Sequence, residues 1–239
     1  MRKTKLSVNI NKIATLRNAR GGNYPNVCDF AFDIQEYGAD GITIHPRPDE
    51  RHIRYKDAYD LKKVVTTEFN IEGNPIDKFV RLVTDIKPTQ VTLVPDAIDA
   101  ITSNSGWDTN TNKSMLKEVV GEFKSYGIRV SIFLDPDIQF IDSVCEIKPD
   151  RIELYTEDYA RQFYKNNFSV INNYRECSRE IGKAGIGINA GHDLNLKNIK
   201  YFKENIENLL EVSIGHALIT ESLYFGLENT IKKYLEFLS

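Results

Sequence analysis

Short apolar runs alternate with longer segments of helical periodicity along the whole chain. Runs that are short and nearly continuous in hydrophobicity are typical of β-strands buried on both faces. The pattern predicts eight strands, which are LSVNI (6–10), GITIH (41–45), FNIE (69–72), QVTLVP (90–95), RVSIFLD (129–135), RIELY (151–155), GIGINA (185–190) and EVSIG (211–215).

The segments between these runs carry the apolar periodicity of amphipathic helices. The clearest is 75–86, where Asn74 is the expected N-cap and Pro75 the expected first helical residue. Its predicted buried face consists of Ile76, Phe79, Val80, Val83 and Ile86. Segments 114–126 and 218–238 repeat the pattern, and each is expected to form a helix against the sheet.

Eight β-then-α units in 239 residues predict an α/β fold, a (β/α)₈ TIM barrel with extra helices, as a single domain over residues 1–239. An open, doubly wound sheet is the alternative. Two connections are longer than a minimal unit needs. Segment 96–113 is rich in Asn, Ser, Thr and Asp, and we expect it to form a lid. Segment 156–184 holds two helical patterns, and we expect it to take part in subunit contacts.

The composition is that of an ordinary globular protein, with 41% hydrophobic residues, 27% charged residues and a net charge of −3. No Lys/Arg tract supplies the basic face that nucleic-acid binding needs. No apolar run is long enough to span a bilayer, and the basic N-terminus lacks the apolar region of a signal peptide, so no membrane contact and a cytoplasmic location are expected. Cys28, Cys145 and Cys177 are widely spaced, and we expect small buried side chains in helices.

The segment Gly41–Ile53 concentrates charged side chains directly after an apolar strand. His45 ends the strand, and Arg47, Arg51 and His52 follow in a loop that two prolines keep from becoming helical. Arginine forks match phosphate, and histidine can move protons near neutral pH. The segment therefore predicts a site for an anionic small molecule.

Polar residues follow nearly every predicted strand, and active sites of (β/α)₈ barrels lie at the C-terminal ends of the strands. All four histidines of the chain lie at or just beyond such an end, a placement that random scatter would not produce. The other polar residues at these ends are Asn9, Asn11, Lys12, Arg17 and Arg20 (the last two expected in a loop), Glu72, Asp135 (alternatively a helix cap), Glu153 and Asn189.

Two Gly-His pairs, Gly191-His192 and Gly215-His216, follow the seventh and eighth strands. Barrels often bind phosphate there through backbone N–H groups and a short helix N-terminus, and glycine allows a close approach. Three arginines, Arg20, Arg47 and Arg51, predict a second anionic locus. Two loci indicate two phosphorylated substrates or one bisphosphate.

Two glutamates, Glu72 and Glu153, lie at the ends of short apolar strands. Partial desolvation there would raise the pKa of each carboxyl, as a general base needs, and the alternative is a salt bridge to a neighbouring Arg or Lys. The chain has no HxH, HExxH or clustered Asp pattern, so no metal site is expected.

The polar residues at the predicted strand ends belong to nine segments that run in order from one end of the chain to the other. The segments are VNINKIATLRNARG (8–21), GADGITIHPRPDERHI (38–53), FNIEGNP (69–75), VTLVPD (91–96), the loop around Thr102, VSIFLDPD (130–137), DRIELYT (150–156), GINAGHDLNL (187–196) and SIGHALI (213–219). In these segments the chain resembles the pyridoxine 5′-phosphate synthase family, and the resemblance covers essentially the whole chain.

The resemblance implies condensation of 3-amino-2-oxopropyl phosphate with 1-deoxy-D-xylulose 5-phosphate to pyridoxine 5′-phosphate, phosphate and water. It implies no metal or organic cofactor, and a homo-oligomer that is an octamer in the family. By matching position, His45 and Glu72 would be proton acceptors, His192 the proton donor, and Glu153 a group that stabilises charged intermediates. The resemblance also implies that Asn9, Arg20, Gly215 and His216 hold the aminoketone phosphate, and that Arg47, His52 and Thr102 hold the deoxyxylulose phosphate.

Two departures from the family pattern affect the predicted site. Asn11 and Lys12 stand where the family usually has Asp and His, and we expect Lys12 to reach the sugar phosphate as a cationic donor. Asp193 follows His192 where a glycine is usual. Its backbone N–H could still contact the aminoketone phosphate, provided that its carboxylate points away from that anion.

Two other functions remain open from the residues alone. One is a phosphosugar isomerase or Schiff-base aldolase on the same barrel, for which Lys12 is the only strand-end lysine. The other is a catalytically silent binder of a phosphate ligand. The joint presence of His45, Glu72, Glu153 and His192 argues against the silent binder, since binding alone needs neither two bases nor an acid.

Overall fold

The eight predicted runs form eight parallel strands, and these strands close into a barrel. The computed structural model describes residues 3–96 and 105–239. The strands are β1 (Lys5–Asn9), β2 (Gly41–Ile44), β3 (Glu68–Gly73), β4 (Gln90–Leu93), β5 (Arg129–Leu134), β6 (Arg151–Tyr155), β7 (Gly187–Gly191) and β8 (Leu209–Ile214). Neighbours pair in sequence order, and β8 pairs with β1 so that Ser213 lies opposite Ser7. This closure confirms the (β/α)₈ barrel and contradicts the open sheet.

Helices surround the barrel, and several connections contain more than one. In the described residues the helices are α1 (Asn11–Arg20), α2 (Val27–Glu36), α3 (Tyr55–Val64), α4 (Asp77–Ile86), α5 (Lys113–Ser125), α6 (Ile141–Ile147), α7 (Glu157–Phe163), α8 (Ile171–Lys183), α9 (Ile199–Asn205), α10 (His216–Phe225) and α11 (Leu227–Leu238). The extra helices are confirmed, because two helices follow each of β1, β6 and β8. The predicted pair within 156–184 corresponds to α7 and α8.

Polar side chains fill the interior of the barrel. The Thr92 hydroxyl on β4 lies 3.5 Å from Glu153 on β6, and Gln90 Nε2 on β4 donates to Glu211 on β8 at 3.3 Å. These strands are not neighbours, so both contacts cross the interior. Alternate strand residues such as Leu6 are fully buried in the apolar core. The strands therefore alternate polar and apolar positions, whereas the sequence predicts strands of nearly continuous hydrophobicity.

The start of α4 differs from its prediction. The helix begins at Asp77 with Ile76 as N-cap, so Asn74 is not the cap and Pro75 is not helical. The Asn74 side chain instead donates a hydrogen bond to the Asp96 carbonyl at 3.3 Å, which ties the end of β3 to the end of β4. The fully or nearly buried residues of α4 are Phe79, Leu82, Val83 and Ile86, whereas the predicted Ile76 and Val80 are only partly buried.

The single helix predicted over 218–238 is wrong, because the chain turns at Gly226. This residue has φ +77°, a conformation that glycine adopts without strain, and it separates α10 from α11. Helix α11 packs on the barrel through Ile231 and Tyr234, both fully buried. Helix α10 lies beside α1. Arg17 and Arg20 belong to helix α1, so the loop that the sequence predicts for them is wrong.

The three cysteines lie in helices α2, α6 and α8, as predicted. Cys177 is buried, whereas Cys28 and Cys145 are half-buried, so the prediction of burial holds fully only for Cys177. All three thiols are free.

Among residues 3–96 and 105–239, no helix has both the length and the apolar character that crossing a membrane would require.

Candidate active site

Two carboxylic acids face the interior of the barrel near the C-terminal ends of the strands. Glu72 on β3 accepts a hydrogen bond from the Asn9 amide at 3.3 Å and another from the Ser213 hydroxyl on β8. Glu153 on β6 is buried, and its charge acts on Glu72. Neither carboxyl has a Lys or Arg partner in the described part of the chain, which removes the salt-bridge alternative there.

Burial shifts both carboxyls toward the protonated form. It raises the pKa of Glu72 well above its ordinary value, and the negative charges of Glu153 and Asp96 raise it further. Burial also raises the pKa of Glu153 to about 8, with a further contribution from Glu211 and a small opposing one from the Thr92 hydroxyl. Both shifts favour the protonated form of the acid, in the direction that the strand-end positions predict.

His45 lies directly after β2, and its backbone is held by the end of β1 through Asn11. Its backbone N–H donates to Asn11 Oδ1 at 2.9 Å, and the Asn11 N–H donates to Asn9 Oδ1 at 3.1 Å. The Asn11 side chain, predicted to bind substrate, thus orders the loop that carries His45. Burial and then the Arg47 charge hold the pKa of His45 well below its ordinary value. The imidazole is neutral at pH 7, which is the form that accepts a proton.

His52 lies across the same loop, with its ring centroid 6.3 Å from that of His45. Its Nδ1 accepts the N–H of Ile53 at 2.9 Å, so the proton of the neutral ring is on Nε2. Burial lowers the pKa of His52 to about 4, followed by the charges of Arg47 and Lys12. The Lys12 contribution shows that this exposed residue at the start of α1 lies close enough to act on His52.

Arg47 is buried and forms an ion pair with Asp96, which follows β4. Both side chains line a small cleft together with His45, Tyr55 and Asn74. Asp96 is not one of the site residues that the sequence predicts. It nevertheless lies just past a strand end, which is the position of the predicted ones. Arg51, by contrast, pairs with its neighbour Asp49 at 2.6 Å and is partly exposed.

Arg17 is a residue whose role the sequence did not indicate. It is fully buried in α1, and its two terminal nitrogens donate to the two carboxylate oxygens of Asp57 on α3, each at 2.8 Å. Its Nη2 also donates to the backbone carbonyl of His52 at 3.1 Å, and the Asn18 amide donates to the same carbonyl at 2.8 Å. The donors of the Arg17 guanidinium are therefore engaged by Asp57 and by the backbone of His52, so Arg17 holds the His52 loop against α1.

Arg20 and Thr102 are two further residues that are predicted to bind the substrates. Arg20 is the last residue of α1 and is exposed. Thr102, in the predicted lid 96–113, lies outside the described residues.

The turn after β7 carries His192 and Asp193, both with positive φ, at +57° and +42°. The Thr156 hydroxyl donates to the His192 carbonyl at 2.6 Å, and the Asn198 amide donates to the Asp193 carbonyl at 3.2 Å. His192 Nδ1 lies 2.7 Å from Asp193 Oδ2. A Cβ on Gly191 would lie 2.5 Å from a Glu153 carboxylate oxygen, so glycine is needed where this turn meets the acid.

Gly215 is the N-cap of α10, and His216 is its first residue. A Cβ on Gly215 would lie 3.1 Å from the Asn9 Cβ, so the helix starts in close contact with the end of β1. The N–H groups of a first helical turn lack intrahelical acceptors and favour an anion. The sequence predicts a helix N-terminus after the eighth strand, and α10 confirms it. This N-terminus lies beside Asn9.

Two predicted strand-end residues have other roles. Asn189 is buried between Arg151, which donates to its Oδ1 at 3.0 Å, and Glu211, so it belongs to a charged layer deeper in the barrel. Asp135 accepts the N–H of Gly106 at 3.1 Å, and it is Asp137 that caps the following short 3₁₀ helix, contrary to the alternative assignment of Asp135 as a cap. No three His, Cys, Asp or Glu side chains group as metal ligands within 3–96 and 105–239.

Comparison with known proteins places this geometry in a family. The family model described as pyridoxal phosphate biosynthesis protein PdxJ matches residues 6–239. The pyridoxine 5′-phosphate synthase of Christiangramia forsetii is 63% identical over 235 residues, which are 98% of this chain and 99% of that protein. The corresponding protein of Cytophaga hutchinsonii is 61% identical over 232 residues, covering 97% and 98%.

Among solved structures, the barrel is similar to N-(5′-phosphoribosyl)anthranilate isomerase from Pyrococcus furiosus, with a TM-score of 0.64 over 98% of each chain. Sequence identity there is 11%, so this likeness shows the fold alone. The match of the family model to almost the whole chain, supported by full-length relatives above 60% identity, shows that the chain belongs to the PdxJ family of pyridoxal phosphate biosynthesis proteins.

Proposed function

We propose that this protein is a pyridoxine 5′-phosphate synthase, a transferase that forms the pyridine ring from 3-amino-2-oxopropyl phosphate and 1-deoxy-D-xylulose 5-phosphate and releases phosphate and water. The observation that carries the proposal is the full-length match to relatives with that name. The arrangement of acids, bases and two cationic regions at one end of the barrel supports it.

The aminoketone phosphate binds at the start of α10 in this proposal. Backbone N–H groups at Gly215 and His216 and the Asn9 amide line that end of the pocket, and Arg20 supplies a cation. Asn9 also contacts Glu72, so the phosphate region and a catalytic acid share one side chain. In this proposal the amine and ketone of the substrate point toward the interior acids.

The deoxyxylulose phosphate binds across the pocket, at Arg47, His52 and Thr102, with Lys12 as an additional cation. In the described structure Arg47 pairs with Asp96, so phosphate binding requires the guanidinium to share its donors between two anions. Lys12 acts on His52 electrostatically, which supports its expected proximity to the same substrate. The backbone N–H of Asp193 is assigned to the aminoketone phosphate.

Ring formation needs repeated proton transfers for imine formation, dehydration, phosphate loss and ring closure. His45, neutral at pH 7, is suited to accept a proton. Glu72 must be ionised to accept one, and the cationic amine of the aminoketone beside it would favour the carboxylate form, against the effect of burial. Glu153 stabilises positive intermediates once it loses its proton, and His192 donates.

The resemblance to the family also implies an assembly of identical subunits, with eight in the family. Large apolar side chains stay exposed on α10, where Leu223 and Tyr224 are 77% and 82% exposed, and on the 156–184 segment, where Tyr164 is 57% exposed. We propose that these surfaces meet other copies of the chain, and light scattering at working concentration tests this; a monomer would contradict it. The cytoplasmic location stays a prediction.

The first test is an assay of the purified protein with both phosphorylated substrates, with and without a chelator, that follows inorganic phosphate and the absorbance of the pyridoxine ring. Joint appearance of ring and phosphate supports the proposal. Binding of both substrates without either product would favour the silent binder. Borohydride trapping on Lys12 would favour the aldolase, although the exposure of Lys12 makes it a poor Schiff-base lysine.

A further inference from the structure

His192 and Asp193 are neighbours in sequence whose side chains meet rather than diverge. The 2.7 Å separation of Nδ1 and Oδ2 is that of a charge-assisted hydrogen bond. We infer that Asp193 is a positioning residue for the proposed reaction: its carboxylate holds the His192 imidazole with a proton on Nδ1, so that Nε2 is the nitrogen that exchanges a proton with substrate. This inference rests on the proposed function only for the identity of the substrate.

The proton assignment follows from the chemistry of the two groups. An ionised carboxylate can only accept hydrogen bonds, so the imidazole nitrogen that faces it must be the donor. Donation from His192 holds the pKa of Asp193 below its ordinary value, which keeps the carboxylate ionised near neutral pH. In the neutral ring the second nitrogen, Nε2, is then the acceptor, and in the imidazolium both nitrogens donate.

Neighbouring residues hold both the His192 ring and the backbone that carries Asp193. The Tyr155 ring packs edge-on against His192, with centroids 5.1 Å apart and planes at 77°. The left-handed conformations of His192 and Asp193 turn consecutive side chains toward each other. Hydrogen bonds from Thr156 and Asn198 to the carbonyls of this turn hold those conformations in place.

The contact between Asp193 and His192 also explains how a carboxylate can lie near a proposed phosphate site without repelling the phosphate. Asp193 lies close enough to His216, at the proposed phosphate-binding end of α10, for that side chain also to lower its pKa. A carboxylate directed at the phosphate would repel it, whereas one paired with His192 shares its charge with an imidazole. Removal of the carboxylate should therefore lower turnover without weakening phosphate binding.

Two substitutions separate these effects. Asp193→Gly removes the carboxylate and relieves a positive φ, and Asp193→Asn keeps the shape and tolerates the same backbone conformation without the charge. We expect kcat to fall about tenfold or more in Asp193→Gly and less in Asp193→Asn, since proton transfer by a positioned group contributes about 10²–10⁴-fold. We expect the KM for 3-amino-2-oxopropyl phosphate to be unchanged or lower. Thermal melting checks that both variants fold.

The tautomer is read directly by solid-state ¹⁵N NMR of protein labelled at histidine, a method that is insensitive to assembly size. The chain has four histidines, so a difference spectrum against His192→Gln assigns the signals, and the other three are internal controls. The expected result is a protonated Nδ1 in the neutral ring of the parent protein and its loss in Asp193→Gly.

Three outcomes in Asp193→Gly overturn the inference. They are an unchanged tautomer, a changed tautomer with unchanged kcat, and a rise in the KM for 3-amino-2-oxopropyl phosphate with no loss of kcat. The NMR measurement uses the protein without substrates. A parent protein that shows the tautomer but makes no pyridoxine 5′-phosphate would refute the proposed function and its catalytic use of His192, while leaving the Asp193 contact established.

Discussion

Arg17 and Asp57 form a buried, two-pronged ion pair between α1 and α3, and the same guanidinium holds the backbone carbonyl of His52. An Arg17→Ala substitution would leave the Asp57 carboxylate buried, with the N–H of Arg54 as its remaining donor among the described residues. We expect the free energy of unfolding to fall by about 3–5 kcal/mol, the cost of breaking one partner out of a buried pair. Urea unfolding measures the change.

The matched control for this prediction is Arg20→Ala, at the exposed end of the same helix, which we expect to stay within about 0.5 kcal/mol of the parent protein. Equal unfolding midpoints for Arg17→Ala and Arg20→Ala would show that the buried pair contributes nothing beyond its surface counterpart. An Arg17→Lys variant is expected to fall between them, because a lysine keeps the charge but cannot donate to both oxygens in one plane.

Gly191→Ala should disable the site and weaken the fold together. The added Cβ would lie 2.5 Å from Glu153 Oε1 and 2.9 Å from the Ser213 carbonyl, and the latter is backbone that cannot move aside. We expect a loss of about 1–3 kcal/mol from overpacking and the displacement of Glu153. Steady-state kinetics and urea unfolding check both effects.

Gly121→Ala provides the control, since nothing lies within 4 Å of the Cβ position in α5. There we expect full activity and a gain of about 0.5–1 kcal/mol, because alanine loses less backbone entropy than glycine in a helix. Full activity in Gly191→Ala would mean that the close approach of β7 to Glu153 is not required.

Glu153 makes the stability of the protein depend on pH. The pKa of its carboxyl is about 8 in the folded state against an ordinary value of 4.5. Below pH 4.5 both states hold the proton. Between pH 4.5 and 8 the unfolded chain releases it and the folded chain does not, so stability falls as the pH rises, by up to about 1.4 kcal/mol per pH unit, and no further above 8.

Glu153→Gln should remove this dependence. We expect its melting temperature to match that of the parent protein near pH 4.5 and to exceed it increasingly up to pH 8. Glu236→Gln, at an exposed position of α11, should follow the parent protein throughout. A difference between Glu153→Gln and the parent that stays constant with pH would refute the raised pKa.

The barrel and the raised pKa values of its acids could be predicted because both depend on local patterns. Eight apolar runs separated by helical segments leave few folds, and a polar residue at the end of a buried strand must lie at the mouth of the barrel. Glu72 and Glu153 were found by that argument. Asp96 satisfies it equally, since it follows the fourth predicted strand directly.

Contacts distant in sequence could not be predicted in the same way. The pairing of Arg17 with Asp57 spans 40 residues and joins two helices whose relative placement only the closed barrel sets. The turn at Gly226 was hidden because apolar periodicity continues from α10 into α11, while a positive φ leaves no trace in hydrophobicity. The contact of Asp193 with His192 likewise depends on two consecutive left-handed residues.

Arg47 and Arg20 are proposed to hold different phosphates, and kinetics with two substrates can separate them. Arg47→Lys keeps a cation beside Asp96 but loses the planar fork. We expect the KM for 1-deoxy-D-xylulose 5-phosphate to rise about 10- to 100-fold, the equivalent of one lost charged hydrogen bond, with little change for the aminoketone. Arg20→Ala should do the reverse. Arg51→Lys is the control, because Arg51 and its partner Asp49 are partly exposed, and it should change both constants less than about fivefold, the upper end of the 0.2–1 kcal/mol of an exposed pair. Equal increases of both KM values in Arg47→Lys would mean that one anion site serves both substrates, and the assignment of two separate phosphate regions would then be wrong.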